Sequence, residues 1–277
     1  MVATPNNFSG IAFIGSGSAI PSQKLSNHQI GMRVDTDDSW IQSRTGISSR
    51  HVIGPSESLV GLSHKAGIKA LEMSGWDPDS IDLILLATST PDDLFGSAPK
   101  VQAQLGAVNA VAFDLTAACS GFLFALLTAA QYLRSGSIRR ALVIGGDQLS
   151  RWVDWDDRRS CILFGDGAGA VTLEATAFNE DDLLDFQLRT DGKRGNCLNL
   201  PSLKKYESLV DGMFSQEGGF SPIQMNGQEV YKFAVREVPL ILEELLERNK
   251  ISPEELDWLL LHQANQRILD SVGDRFH

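Results

Sequence analysis

Residues 111–133 read VAFDLTAACSGFLFALLTAAQYL, and this stretch decides the predicted fold class. Its first five residues form a short apolar run that is typical of a buried strand. From Gly121 onward the segment is apolar on nearly every face, which predicts a buried helix and not a surface one. A turn of small residues that contains Cys119 joins the two parts. A strand, an elbow and a buried helix are parts of a layered α/β structure.

The same alternation continues on both sides of this stretch. The apolar patterns predict strands at 11–15, 82–87, 141–145, 168–173 and 257–261. They predict a helix at 58–74 and a long amphipathic helix at 230–248. Because strands alternate with helices along the chain, we predict a layered α/β fold.

Two segments indicate an internal repeat. Residues 78–87 read PDSIDLILLA, and residues 253–262 read PEELDWLLLH. Each has proline, two polar residues, an aliphatic residue, an aspartate and an apolar run, and each follows a predicted helix. Chance similarity between two helix–turn–strand units is the alternative to a duplication. If the duplication is real, the counterpart of Cys119 falls beyond His277, and the second half is expected to be incomplete.

The charge balance argues against nucleic-acid partners. The chain has 24 basic and 35 acidic side chains, for a net charge of −11. Neutralisation of nucleic-acid phosphates requires a basic face, so no nucleic acid is expected. A small local basic patch remains compatible with this balance.

Cysteine use and hydropathy indicate the compartment. The three cysteines have long spacings that fit neither a disulfide framework nor a zinc motif, so we expect a reducing cytosol and no metal. No segment approaches the roughly 20 apolar residues that span a bilayer. The first ten residues also lack the features of a signal peptide. A cytoplasmic location without a membrane partner is expected.

Cys119 is the best candidate for a reactive side chain. It precedes the buried helix, where free N–H groups and the helix dipole favour an anion. That setting is expected to lower the thiol pKa and to favour a nucleophilic thiolate. A buried structural cysteine is an equally good interpretation of the local pattern. For Cys161 and Cys197 the structural interpretation is favoured.

His262 is the second candidate. It stands at the carboxyl end of the strand predicted at 257–261, and ligands of α/β sheets gather at such ends. A histidine there can donate a hydrogen bond or move a proton near neutral pH. Taken alone, a structural histidine at a strand end is the more common case.

Five segments together resemble a known family. They are WIQSRTG (40–46), TAACSGF (116–122), FGDGAG (164–169), MNGQEV (225–230) and HQANQRI (262–268). In this order they resemble the signature segments of β-ketoacyl-[acyl-carrier-protein] synthase III. The resemblance runs from about residue 11 to the end of the chain and favours Cys119 and His262 as catalytic residues.

The resemblance implies a fold and an oligomeric state. It implies the thiolase-like, five-layer αβαβα fold built from two similar halves, which agrees with the repeat. We place the half with the nucleophilic cysteine at residues 1–175 and the half with the catalytic histidine at residues 176–277. A homodimer is expected.

The resemblance also implies a reaction without a cofactor. Cys119 would carry an acyl group, taken typically from the substrate acetyl-CoA, as a thioester. Malonyl-[acyl-carrier-protein] would lose CO₂, and its enolate would attack that thioester. His262 would be one hydrogen-bond donor to the enolate oxygen.

Binding residues follow from the same resemblance. Those implied for CoA and its pantetheine arm are Trp40, Arg44, Arg158, Gly227 and Asn265. Those implied for the acyl carrier protein are Lys232, Gln263, Ala264, Gln266, Arg267 and Arg275. Solvated surface groups are the alternative interpretation of the charged members.

The sequence departs from the family pattern after His262. The Gly-Asn-Thr-Ser segment that carries the family's third catalytic residue is absent, as is its glycine-rich tail segment. Asn265 belongs to a different matched motif and cannot replace that asparagine. We therefore expect a C-terminally truncated second half with exposed apolar surface.

Three interpretations follow from this departure. In the first, the chain is a condensing enzyme whose sequence is cut short. In the second, it is a non-catalytic remnant that binds CoA or carrier protein, or that caps a dimer. The third is a relative with the same fold, such as a thiolase, a 3-hydroxy-3-methylglutaryl-CoA synthase or a plant-type polyketide synthase.

Overall fold

The computed structural model describes residues 8–276, which form two compact units. Within this range, unit 1 comprises residues 8–24, 51–149 and 165–184, and unit 2 comprises residues 25–50, 150–164 and 185–276. The expectation that the chain begins without a signal peptide rests largely on residues 1–7, which lie outside the described residues.

The strands and helices are as follows. The strands are β1 (Phe8–Ala19), β2 (Gln23–Ser26), β3 (Ser49–Val52), β4 (Leu83–Ala87), β5 (Val111–Leu115), β6 (Arg140–Gln148), β7 (Asp166–Ala177), β8 (Leu198–Asn199), β9 (Tyr206–Val210), β10 (Met213–Gln216) and β11 (Gln224–Met225). The α-helices are α1 (Asn27–Gly31), α2 (Asp38–Thr45), α3 (Leu59–Ser74), α4 (Ala98–Leu105), α5 (Gly121–Arg134), α6 (Arg158–Cys161), α7 (Gly227–Asn249) and α8 (Gln266–Gly273).

Unit 1 is built on a five-stranded mixed sheet with the strand order β1-β7-β6-β4-β5. The two parallel pairs are β6 with β4 and β4 with β5, and β7 runs antiparallel to both β1 and β6. The strands predicted near residues 11, 82, 111, 141 and 168 are therefore confirmed. Because β5 is an edge strand, its outer hydrogen-bonding groups face away from the sheet.

The two faces of this sheet carry separate apolar clusters. On β4, Ile84 and Leu86 pack with residues of α3 and α4. Leu83, Leu85 and Ala87 pack with residues of α5 on the opposite face. This follows from the period of two along a strand, which sends successive side chains to opposite faces. Unit 1 thus has the α–β–α layering that the alternating pattern predicted.

Helix α5 is less completely covered than its composition predicted. Seven of its residues are buried, including Ala125, Ala129 and Leu133. Leu123 and Tyr132, however, are 58% and 42% exposed. The prediction of burial on nearly every face is wrong for this side of the helix, because α5 presents only one face to the sheet.

Unit 2 contains α7, whose 23 residues confirm the long helix predicted at 230–248. Asn226 caps its first turn by accepting a hydrogen bond from the backbone N–H of Glu229. Short antiparallel pairs join β8 with β11 and β9 with β10. Among residues 8–276, no helix combines the length and the apolar character needed to cross a membrane.

The strand predicted at 257–261 does not form. These residues belong to no regular element, and Trp258 and Leu260 are 82% and 85% exposed. A strand requires a hydrogen-bonded neighbour. Among the described residues, the strands that lie in or reach into unit 2 pair only as β2 with β3, β8 with β11 and β9 with β10, and none of them pairs with this apolar segment.

Candidate active site

The strand-to-helix elbow around Cys119 is confirmed. β5 ends at Leu115, a single 3₁₀ turn covers Ala118–Ser120, and α5 begins at Gly121. The backbone of Ala118 has a φ of 47°, which L-residues rarely adopt. Strain of this kind clusters at functional sites, where the surrounding structure holds it in place.

Two glycines allow the elbow to pack closely against the sheet. A Cβ atom on Gly121 would lie 3.4 Å from the Cβ of Ala87, at the end of β4. A Cβ atom on Gly145, in β6, would lie 3.2 Å from the side chain of Phe122. The small residues beside Cys119 therefore position the start of α5 as well as leaving space.

The thiol of Cys119 does not have the lowered pKa that its position predicted. Cys119 is partly open to solvent. Nevertheless, withdrawal of water by surrounding protein atoms raises the pKa of its thiol, and the negative charge of Asp147 raises it further. A backbone hydrogen bond lowers the pKa without offsetting these two causes. The prediction from the helix start was wrong because it left out the desolvation of the thiol, which is the larger cause, and the neighbouring carboxylate.

Asp147 organises the carboxyl ends of two neighbouring strands. Its Oδ1 accepts hydrogen bonds from Thr88 Oγ1 (3.1 Å), Ser89 N (2.8 Å) and Thr90 Oγ1 (2.9 Å). Burial raises the pKa of Asp147 despite these donors. Sequence reasoning missed this residue, although an acidic side chain at the carboxyl end of a strand is a signal that could have found it.

A polar link joins this cluster to the elbow. The Oγ atoms of Ser89 and Thr116 lie 3.1 Å apart. The same residues border a groove in unit 1 with a volume of about 420 Å³, which Leu94, Phe95 and Phe113 also line. The carboxyl edge of the sheet thus offers both polar and apolar groups near the nucleophile.

In unit 2 the structure brings together Trp40, Arg44 and Arg158. The guanidinium carbons of Arg44 and Arg158 lie 5.4 and 5.1 Å from the centroid of a Trp40 ring. Arg158 Nη1 donates a 2.8 Å hydrogen bond to the carbonyl oxygen of Asp35. We call this group of three residues the Trp40 cluster. Two cations at an aromatic face suit a planar base that carries phosphate groups.

His262 lies in unit 2, directly after the segment at 257–261 where the predicted strand does not form. The residue is exposed by surface area, yet nearby protein atoms withdraw water and lower the pKa of the imidazole. A lowered pKa favours the neutral ring near pH 7, and a neutral ring donates one hydrogen bond.

The remaining predicted residues of unit 2 have structural contacts. Asn265 caps α8 through a 2.9 Å hydrogen bond from the backbone N–H of Arg267 to its Oδ1. Gly227 is the first residue of α7. Gln266 packs so closely on Gly46 that a Cβ atom on Gly46 would lie 2.8 Å from the Cβ of Gln266.

The predicted basic patch is partly paired with acids. Lys232 Nζ lies 2.9 Å from Glu229, and Arg275 Nε lies 2.7 Å from Glu243. Gln263, Ala264 and Arg267 are exposed. Because the surface pairs are weak, they leave these cations available to a competing acidic partner.

Comparisons with known proteins identify the family. A family model described as 3-oxoacyl-[acyl-carrier-protein (ACP)] synthase III matches residues 113–192. A β-ketoacyl-[acyl-carrier-protein] synthase III of Prochlorococcus marinus (strain MIT 9313) is 70% identical over 276 residues, which cover 100% of this chain and 81% of that protein. Its counterpart in Synechococcus sp. (strain WH7803) is 66% identical, with coverages of 96% and 78%.

Solved structures agree with this result. The crystal structure of 3-oxoacyl-[acyl-carrier-protein] synthase III from Aquifex aeolicus VF5 matches with a TM-score of 0.85 and 37% identity, covering 96% of this chain and 81% of that one. The corresponding enzyme from Pseudomonas aeruginosa PAO1 matches with a TM-score of 0.84 and 34% identity, with coverages of 96% and 80%. The predicted thiolase-like fold is confirmed, and the chain belongs to the β-ketoacyl-[acyl-carrier-protein] synthase III family.

Proposed function

We propose that this chain is an acyltransferase that condenses acetyl-CoA with malonyl-[acyl-carrier-protein] and so initiates fatty-acid synthesis. The observation that carries this function is the elbow that holds Cys119 at the start of α5, within the region that the family model matches. The identity of 70% to a β-ketoacyl-[acyl-carrier-protein] synthase III supports the same reaction.

Cys119 is the nucleophile of the first step. Its sulfur loses a proton, attacks the acetyl carbonyl and forms a thioester, while CoA leaves and takes up a proton. The thiol pKa is raised, so only a minor fraction is thiolate at neutral pH. A thiolate of higher pKa is intrinsically more nucleophilic, which partly offsets its small population.

His262 acts in the second step. The malonyl group loses CO₂, and the electron pair of the broken bond forms an enolate whose carbon attacks the acetyl thioester. The β-ketoacyl group leaves on the carrier protein, and the Cys119 sulfur is released. A neutral imidazole donates a hydrogen bond to the oxygen on which charge develops, and the lowered pKa of His262 keeps the ring neutral.

The substrates bind through their phosphate-bearing parts. The Trp40 cluster holds the nucleotide of CoA, because its indole can stack on adenine and its guanidinium groups can pair with phosphates. Gly227 and Asn265 line the path of the pantetheine arm. Lys232, Arg267, Arg275 and the exposed residues 263, 264 and 266 receive the acidic carrier protein.

We further propose a homodimer of chains with a duplicated architecture, whose halves are residues 1–175 and 176–277. The dimer is supported by the edge strand β5, where Val111 is 65% exposed, and by the adjoining loop, where Leu94 and Phe95 are 87% and 101% exposed. Native mass spectrometry is expected to give twice the chain mass. The free thiols at positions 119, 161 and 197 fit a reducing cytoplasm.

The reaction is tested by mixing the purified chain with acetyl-CoA and malonyl-[acyl-carrier-protein]. We expect acetoacetyl-[acyl-carrier-protein] in mass spectra, and its loss with Cys119→Ala. His262→Ala is expected to retain acetylation of Cys119 but to slow condensation by roughly a hundredfold. A soluble chain that binds CoA without forming product would instead be a non-catalytic binding protein. If malonyl-CoA replaced the carrier-linked substrate without loss of rate, a different thiolase-fold acyltransferase would be indicated.

A further inference from the structure

The helices that carry the Trp40 cluster are too short to hold their own geometry. Trp40 and Arg44 lie on α2, which has eight residues, and Arg158 lies on α6, which has four. Isolated helices of this length are marginal in water, so contacts from outside must fix them. The distances of 5.4 and 5.1 Å from the Trp40 ring to the two guanidinium groups therefore depend on what lies beneath these helices.

Arg50 lies beneath α6 and is 4% exposed. Its Nη2 donates a 2.8 Å hydrogen bond to the carbonyl oxygen of Ile162, which caps the carboxyl end of α6. Its Nη1 donates a 3.2 Å hydrogen bond to the carbonyl oxygen of Leu25 in β2. The carbonyl at the end of a helix carries partial negative charge, which suits a cation.

A buried cation with only carbonyl partners is costly to maintain. Among the described residues Arg50 forms no ion pair, and its buried Nε has no hydrogen-bond partner. Burial lowers the pKa of the guanidinium, although the nearby Cys161 opposes this effect. Removal of charge from water is unfavourable. The best explanation for a buried arginine here is that its planar guanidinium group joins α6 to β2.

Asn27 completes the same support under α2. Its side chain is 1% exposed, and its Nδ2 donates to Asp38 Oδ1 at 2.8 Å and to the carbonyl oxygen of Ile47 at 2.7 Å. Asp38 begins α2, and Ile47 follows its C-cap. Leu25, which accepts from Arg50, is two residues before Asn27. The residues that fix α6 and α2 therefore have partners close together in the sequence, at Leu25 and Asn27.

We propose that Arg50 is a positioning residue for nucleotide binding, which holds the end of α6 against β2 and thereby sets Arg158 over the indole of Trp40. The inference rests on the proposed role of the Trp40 cluster in CoA binding. Arg50 touches no substrate in this account and acts through Ile162 and α6.

The test compares CoA with a thioester that lacks the nucleotide. Calorimetry measures the affinity for CoA, and intact mass measures the rate at which S-acetyl-N-acetylcysteamine acetylates Cys119. Arg50→Met removes the guanidinium group that donates to both carbonyl oxygens. Arg50→Lys retains a charge that can reach one carbonyl but not both. We expect both variants to bind CoA about tenfold or more weakly, with acetylation by the short thioester unchanged.

Arg33→Met is the matched control. Arg33 also reaches the segment before α6, through Trp155 and Asp156, but its side chain is 58% exposed. An exposed pair of this kind contributes little, so its loss should change CoA affinity by less than about twofold. Circular dichroism monitors folding, and if Arg50→Met does not fold, Arg50→Lys decides the result.

Three results would overturn the inference in different ways. If Trp40→Ala weakens CoA binding while the Arg50 variants bind normally, the nucleotide site stands and the positioning role is wrong. If the Arg50 variants lose acetylation by the short thioester as much as CoA affinity, Arg50 has only a general structural role. If Trp40→Ala binds CoA normally, the proposed nucleotide site itself fails, and the role of Arg50 fails with it.

Discussion

The two copies of the short repeat begin alike and end differently. In each, the proline opens a 3₁₀ turn, Pro78–Ser80 in one and Pro253–Glu255 in the other. The residue that follows is extended in both, with φ values of −86° and −82°. After the shared aspartate, the first copy becomes β4, with all five residues buried, whereas the second copy remains irregular.

This difference separates what a local sequence determines from what its surroundings determine. Proline and its polar neighbours form the turn without help, because φ is preset and the hydrogen bonds are local. Burial of the apolar run needs a sheet with a free edge and a helix to cover it. In unit 1, β5 and β6 flank β4. Among the described residues of unit 2, no strand lies beside residues 257–261.

The largest expected effect is on the free energy of unfolding, when leucine is replaced by alanine at equivalent positions of the repeat. Leu85 is fully buried, and its equivalent, Leu260, is 85% exposed. Leu85→Ala should lower the free energy of unfolding by about 2–5 kcal/mol, because it leaves a cavity. Leu260→Ala should change it by less than about 0.5 kcal/mol. Urea denaturation measures both, and equal losses would show that residues 257–261 are buried in solution.

The next effect concerns the turn after β4, where the first copy leads to the carboxylate of Asp147. Asp147→Asn retains an acceptor for Thr88, Ser89 and Thr90 but removes the charge that raises the pKa of Cys119. Loss of a negative neighbour favours the thiolate. The pH midpoint of Cys119 alkylation by iodoacetamide should therefore move to lower pH.

Peptide mass mapping follows this alkylation at Cys119 alone. Asp79→Asn is the control, since Asp79 is an exposed carboxylate in the same repeat copy. Its midpoint should equal that of the unaltered protein. An unchanged or higher midpoint for Asp147→Asn would remove Asp147 from the account of Cys119 reactivity.

The smallest expected effect concerns the pH dependence of stability, because the helices that precede the two copies are held by different contacts. Helix α3 is held by buried apolar residues such as Leu59 and Leu62, whereas α7 is tied by Arg248 and Asn249 to the partly buried Asp185. The hydrogen bond from Arg248 contributes most to lowering the pKa of Asp185 from 3.8 to about 2. A lowered carboxyl pKa stabilises the folded state above the unfolded value, and this stability is lost as the pH falls through the folded value.

Stability contributed by Asp185 should thus be present above pH 3.8 and disappear as the pH falls to about 2. Asp185→Asn should make the loss of helical circular dichroism over this range slightly shallower. Asp211→Asn, which changes an exposed carboxylate in the turn between β9 and β10, controls for general charge effects. A pH profile of Asp185→Asn that matches the unaltered protein would show that the tie to α7 does not form.

Sequence patterns predicted the sheet of unit 1 well, since β4 and β6 are short apolar runs buried on both faces. β1 extends beyond the predicted residues 11–15. Gly15 and Gly17 have no apolar side chains, so they gave no strand signal. The same lack of a side chain lets the strand approach α3 closely. The run at 257–261 carried the same signal as β4, since periodicity does not report whether a neighbouring strand exists.

The predictions of site residues also depended on whether the information is local in the sequence. The place of Cys119 between a strand and a helix is local information that made it a candidate, and the resemblance to the family favoured it over a structural cysteine. Arg158 lies far from Trp40 in the sequence, so only the resemblance to the family could connect them. Asp147 and Arg50 were missed, because their importance arises from burial and from partners distant in the chain.

Acetylation of Cys119 by acetyl-CoA tests directly whether this thiol is the nucleophile. The purified 277-residue chain is incubated with acetyl-CoA, and its intact mass is measured beside Cys119→Ser, with Cys161→Ser as a control for thiols in general. We expect one acetyl group on the unaltered chain and on Cys161→Ser, and none on Cys119→Ser. An unmodified soluble chain, or an acetyl group that persists in Cys119→Ser, would contradict Cys119 as the nucleophile.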